Sequence, residues 1–454
     1  MSSERRIPES RLERLMHLGR LAGGIAGGAL GEGARQFAQG RRPSMSDLLL
    51  TPANAHRLAG RLSEMRGAAM KVGQLLSMEA GELLPPELSR ILERLRADAH
   101  TMPLGQVAGV LERAWGSGWE RRFQRFSFTP LAAASIGQVH EAITRDGQHL
   151  AVKIQYPGVR RSIDSDVDNV AALLSLVRLI PQEIDFDPML AEAKRQLHQE
   201  ADYEQEAALL NRFAAHLGDH AGFEVPRVLP ELTTPEVLAM TFLGGRPIET
   251  LRDAPAAERN RVATALLELA LREVLEWGLV QTDPNFANYL YAAGDGDGHG
   301  RIQLLDFGAT RDYPQASRSA FRELLLAAMS GDGPGIEGAS IAVGYLGADD
   351  PPAYRAGMVE LVRDATEPAR AAGAYHFGRS DLARRIGEKA MGLRLKERFG
   401  RLPPPAMLFL HRKLGGLYLL FSHLRAEIRV NDLMAPLLSG PVPGAGEAAL
   451  PRVA

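Results

Sequence analysis

The sequence predicts an α+β protein of two lobes, a small sheet-rich one and a larger helical one, preceded by a helical extension. Two changes of pattern and a glycine pair carry that expectation. Apolar residues recur at helical spacing from Ser46 to about Arg125, and strand-like runs separated by turn residues follow from Phe126. Gly244-Gly245 closes the strand-rich stretch, and helical spacing returns from Ala254. The division is therefore 1–45, a glycine-rich segment; 46–125, the extension; 126–244, the sheet-rich lobe; 245–440, the helical lobe; and 441–454, a Pro/Gly/Ala tail.

Composition narrows the functions open to such a protein. A chain of 454 residues with 45% hydrophobic and 24% charged content buries real cores in one large or two to three ordinary domains. Lys+Arg 53 against Asp+Glu 55 gives a net charge of -2, so no basic field draws it to nucleic acid. With Cys 0, disulfides, thiolate metal sites and cysteine nucleophiles are excluded, and a reducing intracellular compartment suits the chain.

The first segment contains "LAGGIAGGALG", Leu21 to Gly31, an uncharged run too short for a hydrocarbon core that needs about 20 residues. Gly19, Gly23, Gly27 and Gly31 recur every fourth residue. They form either a close-contact stripe on a helix, pointing to a membrane or a homodimer, or part of a flexible tail. In the extension, "PPELSRILERLRADAH" starts a helix at proline, with Leu88, Ile91, Leu92 and Leu95 on one face. Before it, "RGAAMKVGQLLSM" sets Lys71, Gly73 and Gln74 among small and apolar residues.

"FSFTPLAAASIGQVHEAITRDGQHLAVKIQ" then reads as strand, tight turn, strand, a second turn at Asp146-Gly147, and a strand ending at Lys153. After "YPGV" comes a helical insertion, then one glutamate-rich helix begun by Asp187-Pro188. "FEVPRVLPELTTPEVLAMTFLGG" supplies two short strands. The second lobe is helical apart from a hairpin around "GDGDGHG". That stretch superficially fits a calcium loop through Asp295, Asp297, Gly300 and Asp306, but His299 stands at the fifth position and strands flank it, which favours the hairpin. "PAMLFLHRKLGGLYLLFSHLRA" is apolar yet interrupted by His411, Arg412 and Lys413, so it reads as a buried helix and not a membrane span.

The chemistry lies in the order of the polar residues. Lys153 ends a strand, an acidic helix follows, "QTDPNFAN" places Asp283 and Asn288 at D-x-x-x-x-N spacing, and "LLDFG" supplies Asp306. Each alone is weak; together they reproduce the protein-kinase arrangement. Phosphate charge repels a nucleophile, so Lys153 and Mg2+ must neutralise it. Asn288 and Asp306 offer oxygen ligands, with Glu200 a further candidate ligand, and Asp283 orients or deprotonates the attacking group. The lysine's partner is sought among Glu200, Asp202, Glu204 and Glu206. Glu200 and Glu206 would stand about 9 Å apart along a helix, so both cannot hold one ammonium. Glu206 is assigned the ion pair, with Glu200 the alternative.

"RGAAMKVGQLLS", "AAASIGQVH", "AVKIQYPGV", "EADYEQEA", "QTDPNFANYLY", "LLDFGATR" and "HRKLGG" together resemble the UbiB family of atypical kinase-like (AarF-domain) proteins, nearest its branch of coenzyme Q biosynthesis ATPases. The likeness runs from Asn54 to Arg425 and extends to the glycine-striped segment, similar to that branch's membrane-associating segment. It implies an atypical protein-kinase-like two-lobed fold with an N-terminal K-x-G-Q extension. The alanine loop, Ala132, Ala133, Ala134 and Ser135, would hold the nucleotide together with Lys153. K-x-G-Q, through Lys71 and Gln74, would lie across the peptide site facing E-x-D, through Glu200 and Asp202, so all four join the active site. Many members read H-A-D-P-H-P-G-N where this chain has "QTDPNFAN"; Asp283 and Asn288 are retained. Nothing like A-P-E follows Asp306, and the hydrophobic two-helix C-terminal anchor of some members has no counterpart.

The resemblance implies a Mg-ATP-dependent ATPase with little protein-kinase activity, supporting ubiquinone biosynthesis. Its partners would be ATP/ADP, anionic membrane lipids, ubiquinone precursors and biosynthetic enzymes, at a peripheral site on the inner membrane facing the cytoplasm. Alternatives are a phosphotransferase for a small molecule or lipid, and a nucleotide-gated scaffold.

Overall fold

The structure is a computed structural model that describes residues 67–69, 71–73, 101–134, 136–176, 187–218, 220–294, 300–397 and 403–440. The glycine stripe, the helix expected from Pro85, Gln74, Ser135 and the tail lie outside the described residues. The chain divides into two compact units, 1–211 with 226–243, and 212–225 with 244–454. Residues 212–225 thus belong with the second unit, whereas the sequence reading kept them in the sheet-rich lobe.

In the first unit, α1 (Leu104–Trp115) precedes β1 (Phe123–Ala133), β2 (Gly137–Thr144) and β3 (His149–Gln155). The helices α2 (Val159–Leu176), α3 (Asp187–Glu200) and α4 (Tyr203–Leu217) follow, the last passing into the second unit. After β4 (Phe223–Glu224), β5 (Val237–Thr241) completes an antiparallel sheet in the order β1-β2-β3-β5. The turn after β2 uses Gly147 at φ 85°, a left-handed conformation open to glycine at little cost. Pro130 sits on edge strand β1 at a shift of register, where a missing N–H is tolerated. Strand β3 runs two residues past Lys153, to Gln155.

The period of two on β3 decides where chemistry can sit. Leu150, Val152 and Ile154 share one face with their cross-strand partners Ala142, Ala239 and Val237. Val107, Val110, Leu111 and Trp115 of α1 lie at helical spacing and belong to the same apolar cluster. Trp115 Nε1 satisfies its donor on the Leu232 carbonyl at 2.9 Å. The opposite face of β3 is left with Ala151, Lys153 and Gln155.

The single acidic helix expected after Asp187 is two helices, broken at Ala201–Asp202. Asp202 Oδ1 accepts from the Gln205 amide at 3.1 Å, so this aspartate caps α4 and starts a new helical direction.

The second unit holds β4, β6 (Arg246–Pro247), β8 (Tyr289–Ala292) and β9 (Arg301–Leu304) in a sheet ordered β4-β9-β8-β6, with β4 parallel to β9. The two short strands before Gly244 therefore enter different sheets. β8 and β9 are antiparallel, with Tyr289 opposite Leu304, as the hairpin reading requires. Two further ladders were not anticipated: β7 (Leu279–Gln281) with β10 (Thr310–Asp312), and β11 (Tyr375–His376) with β12 (Glu427–Ile428).

Its helices are α5 (Ala256–Arg272), α6 (Gln315–Ser330), α7 (Gly333–Val343), α8 (Pro352–Ala365), α9 (Glu367–Arg370), α10 (Leu382–Glu397), α11 (Pro405–His423) and α12 (Val430–Ser439). A π-helical turn, Glu273–Trp277, extends α5 and stops at Gly278, φ 66°. The Arg318 guanidinium takes up the end carbonyls of Val274, Leu275 and Glu276 at 3.2, 3.0 and 2.6 Å. α11, the interrupted apolar run, buries Met407, Phe409, Leu410, Leu417, Leu420 and Phe421 together with Lys413. Among the described residues no helix is long and apolar enough to cross a membrane.

Candidate active site

In the first unit, Lys153 Nζ donates to Glu206 Oε1 at 2.8 Å and Oε2 at 2.9 Å, with the two side chains 9% and 2% exposed. The pair exists because β3 directs Lys153 away from the apolar layer while Asp202 caps α4 directly before the first turn, which carries Glu206. Tyr203, fully buried, presents its ring 5.3 Å from the ammonium. Asp202 also binds Arg160 through Oδ2 at 3.1 Å.

Residues 67–69 and 71–73 are helical, and Lys71 on this stretch is ion-paired with Glu200 at the end of α3. Glu200 and Glu206 thus hold different lysines, separated by the helix break and not by distance along one helix. Glu200, expected also as a metal ligand, is committed to Lys71 in this structure.

The alanine loop is mostly strand. Ala132 and Ala133 pair with Val139 and Gln138, and Ala134 N–H closes the hairpin on the Gly137 carbonyl at 2.8 Å. Gly137 is required there: a Cβ would stand 2.3 Å from the Ile154 carbonyl oxygen and 2.8 Å from Tyr203 Oη.

In the second unit two loops run hydrogen-bonded side by side. Thr282 donates from N and Oγ1 to the Ala309 carbonyl at 3.3 and 2.6 Å, and Leu305 N donates to the Asn288 carbonyl at 3.0 Å. The Gln281 amide ties both, donating to the carbonyls of Asp283 at 2.9 Å and Asp306 at 3.2 Å. Asn285, and not Asp283, caps the short turn Phe286–Asn288. Asp283 Oδ2 accepts from Asn288 Nδ2 at 3.1 Å and Oδ1 from Arg412 at 2.6 Å. Asp306 Oδ1 accepts the Gly308 amide at 2.9 Å, and Phe307 is fully buried 4.9 Å from the Phe213 ring.

Beneath these loops Lys413 reaches Glu273 Oε1 at 3.2 Å and Gln281 Oε1 at 3.3 Å, and Glu273 Oε2 accepts the Gln281 backbone N–H at 2.9 Å. Burial pushes the Glu273 carboxyl up. Burial works against the Lys413 ammonium, but the Glu273 charge and Tyr289 outweigh it and hold its pKa above the ordinary value. Sequence reasoning gave Arg412, Lys413, Gln281 and Glu273 no role. The signal was two cations inside an apolar helix, which demand partners.

The pairing of a strand lysine with a helix glutamate and the bonding of an Asp-Asn loop to an Asp-Phe-Gly loop are kinase-like, and what decides the family is that the sequence of residues 94–340 matches the ABC1 atypical kinase-like domain. The chain belongs to that family. Curated relatives named as mitochondrial atypical kinases include COQ8B of Rattus norvegicus, 39% identical over 95% of this chain and 81% of that one. COQ8 of Saccharomyces cerevisiae is 37% identical over 95% of this chain and 86% of its own. For coq-8 of Caenorhabditis elegans, 36% identical, this chain spans 58% of the relative's length. A solved structure, the complex of Rv3197 with erythromycin from Mycobacterium tuberculosis, aligns at TM-score 0.59 and 26% identity over 86% of this chain and 97% of that one. The ABC1 member described here is accordingly an atypical-kinase-type enzyme with an α+β kinase-like fold.

The second unit of this ABC1 protein fits Mg2+ by its donor set. Asn288 and Asp306 line one cavity with Gln281 and Phe307. Because Asn288 donates through Nδ2, its Oδ1 is the atom left for a cation. Among the described residues no cluster of three or more His, Asp or Glu side chains gathers that could hold a metal alone. A carboxylate and a carboxamide oxygen, completed by water and phosphate, are the hard donors Mg2+ takes.

Proposed function

We propose that this chain is a Mg-ATP-dependent, atypical kinase-like ATPase that supports ubiquinone (coenzyme Q) biosynthesis at a membrane surface, handling lipid intermediates or organising biosynthetic enzymes. The observation that carries the catalytic part is the pair of bonded loops that presents Asp283, Asn288 and Asp306 together. Lys153, fixed by Glu206, neutralises phosphate charge; Asn288 and Asp306 hold the cation. Mg2+, when bound, supplies charge neutralisation and Lewis acidity at the phosphates. Asp283 orients a water whose oxygen attacks the γ-phosphorus as the bond to the β–γ bridging oxygen breaks; the proton passes to Asp283 and then to solvent.

Two features support water over a protein acceptor. Lys71 is held by Glu200, and Ala132–Ala134 continue a strand and a closed hairpin where glycines would give a mobile loop. Gln74 and Ser135 are proposed to act beside them. The ubiquinone part is supported by the likeness to the coenzyme Q branch and to the relatives named COQ8; a peripheral membrane position with anionic lipid as the surface partner is proposed with it. A second reading, phosphotransfer to a small molecule or lipid, is favoured by the same Asp283, which is equally placed to take a hydroxyl proton.

The test is phosphate release from ATP, with and without liposomes containing anionic lipid, beside Asp306→Asn. Lipid-stimulated release that the variant loses, without labelled protein or lipid, is expected. Label on a lipid or small molecule would establish the second reading instead, and ATP binding without variant-sensitive turnover would leave a nucleotide-gated scaffold.

A further inference from the structure

One stripe of α11 reads the two loops of the second unit. The Ala406 carbonyl accepts the Tyr313 hydroxyl at 2.7 Å, and the Phe409 ring lies 3.7 Å from the Arg311 guanidinium. A helical turn on, Arg412 holds Asp283, and a turn beyond that Gly416 leaves room for Pro284, whose Cβ would be 2.2 Å from a Cβ at 416. Positions 406, 409, 412, 413 and 416 are neighbours on one helical face, so the helix contacts the segment after Asp306 and the loop bearing Asp283 as one rigid edge.

We propose that Arg412 is a positioning residue for the reaction, acting through Asp283. Its side chain is 15% exposed and that of Asp283 25%, so the bond is partly desolvated and charge-assisted. It fixes Asp283 Oδ1 while Asn288 fixes Oδ2, and the plane of the carboxylate is thereby set from both sides. Each carboxylate oxygen keeps a second lone pair, so the group can still receive the nucleophile's proton. A guanidinium suits the task better than an ammonium because its planar fork loses less freedom per bond formed. Arg412 lies 129 residues from Asp283, and the residues around Asp283 itself, Thr282, Pro284 and Asn285, bring no cation to it.

This inference rests on the ATPase reading, and one experiment separates their failures. Phosphate release and ATP affinity are measured for wild type, Arg412→Ala, Arg412→Lys and Asp306→Asn, with Arg412→Ala repeated in millimolar guanidinium chloride below denaturing levels. A carboxylate left to drift by about 1 Å costs on the order of 100-fold. The expected result is a kcat reduced about 10- to 100-fold in Arg412→Ala with KM for ATP and ATP affinity within about twofold of wild type, partial recovery by guanidinium, and an intermediate kcat for Arg412→Lys. Should the alanine variant fail to fold, Arg412→Lys, which keeps charge and stem, decides through the same split between kcat and KM. A loss carried by KM or ATP affinity, unaltered kcat, or a folded Arg412→Ala that guanidinium leaves unrescued overturns the role. In any of those cases wild-type turnover abolished in Asp306→Asn leaves the ATPase reading standing; absence of wild-type turnover removes both.

Discussion

Replacing Glu206 by glutamine is the sharpest perturbation of the first unit. The substitution keeps the shape of the side chain and removes the anion that Lys153 meets twice, at 2.8 and 2.9 Å, in a site where the two side chains are 9% and 2% exposed. Breaking a buried pair from one side costs about 3–5 kcal/mol, because a charge remains where water does not reach. The amide oxygen still accepts one hydrogen bond, worth about 1 kcal/mol, and the Tyr203 ring stays 5.3 Å from the ammonium. The net loss is about 3 kcal/mol, on the order of 100-fold in the equilibrium for local opening. Hydrogen exchange of peptides covering 149–155 and 203–211 reads that equilibrium directly, and their protection should fall by about that factor. The double variant Lys153→Met with Glu206→Leu removes both charges and should restore most of the protection. Protection of the single variant within about threefold of wild type, or a double variant no better than the single, would refute the reasoning.

Three further outcomes follow from local geometry. Gly137→Ala forces β2 off β3 and Tyr203, so it should lose about 1–3 kcal/mol by thermal or denaturant unfolding; an unchanged midpoint would show that the contact relaxes freely. Gly416→Ala drives a methyl group into Pro284 and should lower phosphate release while ATP affinity holds, and a rate equal to wild type would contradict the close approach. His140 is buried on the apolar face of the sheet, donating from Nδ1 to the Ser127 carbonyl at 2.9 Å, with no partner for Nε2 among the described residues. Burial lowers its pKa, opposed by the Ser127 bond. Its unfolded value is about 6.5, so only the unfolded chain takes up the proton just below that pH; stability is full above about pH 6.5 and falls as pH drops toward the folded value. The unfolding midpoint of His140→Phe should depend less on pH over that range, and an identical slope would rule out His140 as its source.

Much of this arrangement could be read from residues alone because it is carried by local signals. Alternation and turn residues marked β1, β2 and β3, and the fixed order of Lys153, the acidic helix, Asp283, Asn288 and Asp306 marked a kinase-like architecture. What escaped the sequence depends on contacts distant in the chain or on competition between neighbours. The break between α3 and α4 arises because Asp202 satisfies the Gln205 amide, a choice that helix periodicity does not register. β4 looked like a companion of β5, yet its partner β9 begins at Arg301. Arg412 and Lys413 read as interruptions of an apolar helix. Their partners, Asp283, Glu273 and Gln281, are 129 to 140 residues away and had no pattern in common with them. Gly137 and Gly416 are explained only by what a side chain there would strike.

The most direct test of the central claim is an equilibrium titration of ATP into the full-length protein with and without Mg2+, for wild type and Asp306→Asn. The account predicts that Mg2+ tightens ATP binding in the wild type and that the variant loses this dependence. Wild-type binding indifferent to Mg2+, or a variant as sensitive to Mg2+ as the wild type, would contradict it.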